Sequence, residues 1–287
     1  MNIAIIGGGR LGGSLGRALS RRGFAIRAVC DRTAALAGRA RRAVGAGRAT
    51  TDPALAARAA EAVFLCLPDD ALAGEARRLA RAVRDWRGKT VFHCSGLLAS
   101  EILAPLRERG AAVASFHPVQ SFPKRGMEPD VFRGIFIGLE GGKAARALGR
   151  KIALRLGARP IVLRPAAKPL YHAACSLASN HGLILFHLAA GLMARTGMSR
   201  RTAERVLGPL AQGTLRNVKT FGSDKALTGP VLRGDIAAVR RHLEVLRADS
   251  SLRRVYKLLA REGLKIARDS SLEEKTARTL SRLLAGQ

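Results

Sequence analysis

Aromatic residues make up 4% of the 287-residue chain, and acidic residues are outnumbered 21 to 50 by basic ones. There are four cysteines, Cys30, Cys66, Cys94 and Cys175. None forms a Cys-x-x-Cys pair or sits at ligand spacing with a histidine, which excludes a structural zinc module. Three fall at or near the ends of predicted strands, the ordinary place for a small buried thiol. No uninterrupted apolar run reaches the roughly 18 residues of a membrane span. Met1 leads directly into the first apolar run, with no charged leader and cleavage site before it. These absences predict a cytoplasmic protein without disulfides and without a membrane partner. Internal repeats and low-complexity tails are also missing.

The shortage of aromatics bears on the formal charge of +29. Ten of the cations are lysines, so arginine supplies 40 of the 50. The arginines are dispersed, as at Arg39, Arg41, Arg42, Arg77, Arg78, Arg200, Arg201, Arg240 and Arg241. They are not interleaved with stacking side chains, and no helix-turn-helix or finger motif accompanies them. We read them as solvated helix faces rather than a specific nucleic-acid surface, with polyanion binding as an alternative. Some nonspecific attraction at low salt is expected.

What is present begins at the N-terminus. Asn2-Ile3-Ala4-Ile5-Ile6 is a short apolar strand, followed by Gly7-Gly8-Gly9-Arg10-Leu11-Gly12 and a helical pattern from Ser14. Asp31 lies nineteen residues beyond Gly12, at the end of a second apolar run. Strand, Gly-x-Gly-x-x-Gly, helix and a distant acid together form a dinucleotide signature. The first glycine permits the turn, the second lets backbone approach a pyrophosphate, and the third lets helix and strand pack closely. The helix N-terminus presents free N–H groups and partial positive charge to the anion. The dinucleotide site is expected to take in Gly7, Gly9, Arg10, Leu11, Gly12, Asp31, Arg32, Thr33, Leu67 and Pro68. Asp31 suits a ribose 2′-hydroxyl and so NAD. Arg32, Thr33 and Arg10 suit a 2′-phosphate and so NADP. The two arginines tilt the reading toward NADP, with NAD as the other cofactor.

Through residue 164 the chain alternates apolar runs and helical patterns, which predicts a doubly wound parallel sheet, an α/β fold. Ligands in such sheets lie beyond the carboxyl ends of the strands. The predicted strand ends carry Asp31, Pro68-Asp69-Asp70, Ser95-Gly96 and His117. From Pro165 the pattern turns almost entirely helical, so the expected domains are 1–164 and 165–287. The stretch from Leu170 to Ala194 is apolar nearly all round, which predicts a buried helix. Its His172, Asn180, His181 and His187 speak against a membrane span.

Motifs spread along most of the chain resemble one family. They are the Gly7–Gly12 loop, Leu67-Pro68-Asp69-Asp70, His93-Cys94-Ser95-Gly96 and Phe116-His117-Pro118. Tyr171-His172-Ala173-Ala174, Ala178-Ser179-Asn180, Ala226-Leu227-Thr228-Gly229-Pro230-Val231 and Arg233-Gly234-Asp235 complete the set. The chain resembles bacterial proteins in which a Rossmann-like domain precedes a helical domain of unknown function. These are similar to the 6-phosphogluconate-dehydrogenase-like group, with pyrroline-5-carboxylate reductase, ketopantoate reductase, prephenate dehydrogenase and deazaflavin-dependent NADP reductase. The resemblance implies a homodimer formed through the helical domain. In hydroxyacid dehydrogenases of the group, a Ser-Gly after a strand grips substrate, a helical Lys acts as acid, and Asn follows four residues later. Ser95-Gly96 and Lys168 match. Position 172 is His rather than Asn, and the nearest Asn is Asn180.

Steps of four along a helix advance about 40°, so His172, Ser176 and Asn180 share a face just beyond Lys168. Such a polar stripe either lines a site or pairs internally. The site reading makes Lys168, His172 and Asn180 catalytic. Ser95, Gly96, His117, Ser176 and Arg233 would then contact substrate, His117 by polarising a carboxylate or amide and Arg233 by a bidentate clamp. His117 could equally hold its loop, and Arg233 could tether to Asp235 or cap a helix. His93 reads as a core residue.

The expected function is hydride transfer between NAD(P) and a small carboxylated keto acid, hydroxy acid or imine, ketopantoate-like compounds included. A non-catalytic nucleotide sensor or scaffold is the alternative, kept open by the departure at position 172. No metal site is expected.

Overall fold

The computed structural model describes residues 1–270 and 272–286. The first half runs β1 (Asn2–Ile6), α1 (Arg10–Arg21), β2 (Ala25–Cys30), α2 (Ala34–Val44), β3 (Arg48–Thr50), α3 (Pro53–Arg58), β4 (Ala62–Leu65), α4 (Asp69–Ala82) and β5 (Thr90–His93). A 3-10 turn (Ser100–Leu103) and α5 (Ala104–Arg107) lead to β6 (Ala112–Pro118), then β7 (Phe136–Gly141), α6 (Lys143–Arg155) and β8 (Arg159–Val162). Helix α7 (Lys168–Ser176) follows and continues into a π-helical turn (Leu177–His181). The remainder is α8 (Gly182–Ala194), α9 (Arg200–Phe221), α10 (Ser223–Ala226), α11 (Ile236–Val245), α12 (Ser250–Ser270) and α13 (Glu274–Ala285). Two compact units result, 1–180 and 181–287. The division falls sixteen residues beyond the change of sequence character at 164/165, so α7 belongs with the strands.

The eight strands form one sheet in the order β3-β2-β1-β4-β5-β6-β7-β8. Period-two side-chain alternation puts half of each strand on each face. Ile3 and Ile5 pack with Leu15 and Leu19 of α1 on one face, and Ala4 and Ile6 with Leu72 and Leu79 of α4 on the other. Strands β4 and β5 are fully buried, which is why their sequences read as continuous apolar runs. Phe64, Phe92 and Phe116 stack across β4, β5 and β6, with ring centroids 4.9 to 5.7 Å apart. Each such pair adds about 0.5–1.5 kcal/mol beyond area burial.

The sheet departs from the all-parallel expectation at β7, which pairs antiparallel with β6. Its physical reason is the connection: residues 119–135 carry only a 3-10 turn (Pro129–Phe132) and no crossover α-helix. Without a helix to carry the chain back along the sheet, the next strand runs the opposite way. Strand β8 then pairs parallel with β7 through α6.

In the second unit, Ser199 caps α9 at Thr202 and Asp235 caps α11 at Ala238. Val239, Leu243, Leu264, Leu280 and Leu284 form its core. Helix α8 corrects the expectation of a buried helix. Only Ala190 of α8 is fully buried, while Leu183 is 69% and Ile184 52% exposed. An all-round apolar helix needs neighbours on every side, and within this unit α9 is its chief one. The stretch 165–194 is long and apolar enough to cross a membrane, by length and composition alone, and it contains the π turn.

Candidate active site

The carboxyl ends of β1, β4, β5 and β6 share one edge of the sheet. At β1 the glycine loop begins, and its four glycines have different reasons to be glycine. A Cβ on Gly7 would lie 2.3 Å from the Cys66 carbonyl oxygen, and Gly7 itself has φ +95°. A Cβ on Gly8 would lie 2.1 Å from that of Ala40, and one on Gly12 would lie 1.9 Å from the Gly7 carbonyl oxygen. These three are required by packing. Gly9 has nothing within 4 Å of its Cβ position, so the protein alone does not require glycine there. Gly9 is also the N-cap of α1, with no side-chain cap and no acid in the first turn. Open space above uncapped N–H groups at a helix start fits a dinucleotide pyrophosphate.

Asp31 ends β2. Its Oδ2 accepts from the Gly8 N–H at 3.2 Å and its Oδ1 from the Arg32 N–H at 2.8 Å. Arg10 and Arg32 are exposed. The Thr33 hydroxyl accepts from the Leu36 N–H and thus caps α2. A Cβ on Gly7 would also lie 3.0 Å from Leu67 Cδ2, and Pro68 precedes α4 as N-cap.

The ends of β5 and β6 build a second group. Lys168 is fully buried, and its ammonium donates to the Ser95 carbonyl oxygen at 3.1 Å and to Ser115 Oγ at 2.6 Å. Ser115 Oγ donates to the same carbonyl at 3.1 Å. Burial pushes the Lys168 ammonium down to about 8, against the opposing pull of Glu140 and Asp69. The Ser95 hydroxyl accepts from the Leu97 and Leu98 N–H groups, which folds the turn after β5. Lys168 and Ser95 therefore clamp the ends of β5 and β6 to the start of α7.

That clamp positions two histidines and a tyrosine. The His117 Nδ1 lies 2.7 Å from the Tyr171 hydroxyl. Burial, helped by Lys168 and His172, holds His117 down to about 4, so it is neutral at pH 7, and its tautomer sets which of the two groups donates. Burial raises the Tyr171 hydroxyl well above its ordinary value. Gly138 of β7 stands opposite His117 in the register, and a Cβ there would lie 2.9 Å from the Tyr171 oxygen. The absent side chain is the slot that the phenol fills. Gly96 is a second such gap: its Cβ would meet His172 Cδ2 at 2.7 Å and His117 Nε2 at 2.8 Å.

A cavity of about 660 Å³ opens beside this group, lined by His117, Tyr171, His172, Ser176, Ser179 and Asn180, with Gln120, Ser121 and Cys175 among its other walls. His172, Ser176 and Asn180 do share a lining, as the helical spacing predicts, with the π turn between the last two. Lys168 is brought next to the group but has no place on the cavity wall. Arg233 is exposed in the second unit, and Asp235 caps α11 instead of pairing with it. His93 is fully buried with Nδ1 accepting from the Ser95 N–H; its Nε2 has no partner among the described residues. Burial, with Lys168 adding to it, holds His93 down to about 3. No cluster of metal-ligating side chains occurs among the described residues.

Sequence reasoning passed over Tyr171 as a site residue. The signals were its position three residues after Lys168, on the same helical side, and a lone glycine inside strand β7.

The Rossmann-like domain model matches residues 1–118, and the model for a domain of unknown function, DUF2520, matches residues 135–263. No curated protein matches the chain. A Bacteroides fragilis protein provisionally assigned as an NADP oxidoreductase is similar over 91% of this chain and 96% of its own, at 27% identity and a TM-score of 0.76. A Thermotoga maritima protein is 25% identical over 93% of this chain and 99% of its own, with a TM-score of 0.71. An imine reductase from Streptomyces aurantiacus shares the fold over 100% of both chains, with a TM-score of 0.66 at 20% identity. The chain therefore carries a Rossmann-like domain followed by a DUF2520 domain.

Proposed function

We propose that this protein is an NADP-dependent reductase of an uncharged carbonyl or imine compound. The observation that carries the reading is the His117–Tyr171 pair, 2.7 Å apart, at the strand-end edge that also holds the glycine loop. The amides of Gly9, Arg10 and Leu11 would hold the pyrophosphate, with Arg10 and Arg32 available to a 2′-phosphate. The nicotinamide supplies hydride when bound. Hydride addition to C=O or C=N leaves charge on the heteroatom, which needs a proton. The neutral His117–Tyr171 pair is the proton source, and Lys168 acts behind it by fixing the ends of β5 and β6. None of the cavity-lining residues is Lys, Arg, Asp or Glu. That supports an uncharged substrate over the carboxylated one the motifs suggest. The similarity to a provisional NADP oxidoreductase supports the choice of cofactor.

The test is single-turnover oxidation of NADPH against uncharged cyclic imines and ketones, with 2-oxo acids in parallel. The Tyr171→Phe variant should lose about 100-fold or more in rate with its NADPH affinity unchanged. Full turnover in that variant, or turnover of 2-oxo acids alone, would contradict the reading.

We further propose that a second copy of the chain covers the exposed apolar side chains of α8 and α9. Leu183, Val206, Leu210 and Leu215 are each more than half exposed, an unusual concentration for a monomer surface. A bilayer is the poorer partner for this stretch. Its N-terminal part carries fully buried Lys168 and cavity-lining His172 and Asn180.

A further inference from the structure

Strands β6 and β7 are antiparallel neighbours, with Pro118 opposite Ile137. A turn of two to five residues would join them. Residues 119–135 instead leave the edge of β6 and reach α1. In the sheet, β1 is three strands from β6, about 14 Å at the usual strand spacing. Once there, the segment is fastened along α1. The Met127 N–H donates to Ser14 Oγ at 3.0 Å, and Arg17 donates to the Gly126 carbonyl at 3.2 Å. Arg17 and Arg22 also pair with Glu128 and Asp130. Phe132 is fully buried and anchors the return. So long a detour with so many tethers is characteristic of a loop with a binding role.

Arg125 is the residue this segment delivers to the glycine loop. Its stem crosses α1 where Gly13 has no side chain: a Cβ there would lie 2.5 Å from Arg125 Cγ. Its Nε donates to the Gly8 carbonyl oxygen at 2.6 Å. The Gly8 N–H is held from the other side by Asp31. Residue 8 of the phosphate-binding turn is thus fixed at both of its backbone polar groups, one by a carboxylate and one by a guanidinium. Arg17 on α1 and Arg22 at its C-cap each have an acidic partner. Arg125 has none among the described residues, and its two terminal nitrogens have no hydrogen-bond partner there either.

We propose that Arg125 is a dinucleotide-binding residue supplied from outside the βαβ unit. It holds the Gly8 carbonyl through Nε and offers Nη1 and Nη2 to a phosphoryl group of the bound dinucleotide. The inference rests on the dinucleotide reading of the glycine loop. A guanidinium is suited to both tasks at once, because its donors lie in one rigid plane. A charge-assisted contact of this kind changes affinity by about 10- to 100-fold.

The experiment is fluorescence titration of NADPH and NADH, at fixed ionic strength, into the wild type and the Arg125→Ala, Arg125→Gln and Arg125→Lys variants. Thermal unfolding without ligand checks that each variant is folded. Arg125→Ala and Arg125→Gln should bind NADPH at least about 10-fold more weakly, while Arg125→Lys, which keeps the charge but not the planar fork, should fall between them and the wild type. Gln keeps a donor for Gly8 but loses the charge, so it separates phosphoryl contact from loop anchoring. A loss confined to NADPH places the contact at the 2′-phosphate, and an equal loss for both places it at the pyrophosphate. Wild-type affinity in Arg125→Gln would overturn the proposal. A wild type that binds neither dinucleotide would instead overturn the reading beneath it.

Discussion

Replacing Lys168 by Met removes a buried ammonium and leaves the strands around it in place. In the native chain burial holds Lys168 at about 8, against 10.5 for an ordinary lysine. Between those two values the unfolded chain binds a proton that the native chain does not. Stability from this group therefore rises with pH across that window. The full difference corresponds to about 3.4 kcal/mol, of which about 2.5 kcal/mol is reached by pH 10. Two buried thiols act in the opposite sense. Burial pushes Cys30 up to about 12, and the contact with Cys66, together with burial, raises Cys94 well above 9.0. Native thiols keep protons that unfolded thiols lose, so their contribution falls as pH rises above 9. The informative quantity is thus the difference between the wild type and Lys168→Met, in which the thiols largely cancel. Urea unfolding followed by fluorescence of Trp86, the only tryptophan and fully buried in the first unit, reads that difference directly. At pH 7 the variant leaves Ser115 Oγ without its donor and the Ser95 carbonyl with Ser115 Oγ alone, at a cost of about 1–3 kcal/mol, offset by removal of the buried charge. From pH 7 to pH 10 the wild type should gain about 2.5 kcal/mol relative to the variant. Parallel stability curves over that range would refute the assignment of Lys168 as a depressed, desolvated ammonium.

Two further predictions concern the glycine loop and the apolar helices. Gly12→Ala places a Cβ 1.9 Å from the Gly7 carbonyl oxygen and should cost more than about 2 kcal/mol of stability, measured by thermal unfolding. Gly9→Ala meets nothing within 4 Å and should keep near-wild-type stability while weakening NADPH at least about 10-fold; equal destabilisation by both would refute the distinction between them. Sedimentation at micromolar concentration should show a dimer of the 30.5 kDa chain, and Leu183→Glu with Leu210→Glu should give a folded monomer. A monomeric wild type would count against the second copy.

The sequence carried the fold where local patterns had one physical solution. The continuous apolar run at 62–67 meant a strand covered on both faces, and β4 is buried throughout. The glycine loop was legible for the same reason, since strand, turn and helix start are contiguous in the chain. Strand β7 was legible as a strand but not in its direction, because direction depends on how residues 119–135 travel. Helix α8 was legible as apolar, yet apolar periodicity reports that a helix wants neighbours and says nothing about which molecule provides them.

The site was legible in its residue types and much less in its roles. A histidine at a strand end, a lysine before a helix and a polar stripe along it were all visible from spacing. What decides their chemistry is which donor meets which acceptor across 50 or more residues. Lys168 meets Ser115 and the Ser95 carbonyl, so its ammonium is spent on joining strands to helix. His117 meets Tyr171 through a gap left by Gly138, so the group proposed as the proton source is one that spacing alone did not single out. In both cases the deciding partner belongs to a small residue, serine or glycine, whose placement carries no periodic signal. Lys168 and Tyr171 stand three residues apart on α7, and the same helix buries the first and turns the second toward the cavity. The lysine of the family pattern is thus kept in sequence, while the proposed function takes the proton from its neighbour. Lys168→Met and Tyr171→Phe test the two halves of that displacement separately. The first should act on stability against pH, and the second on the rate of hydride transfer.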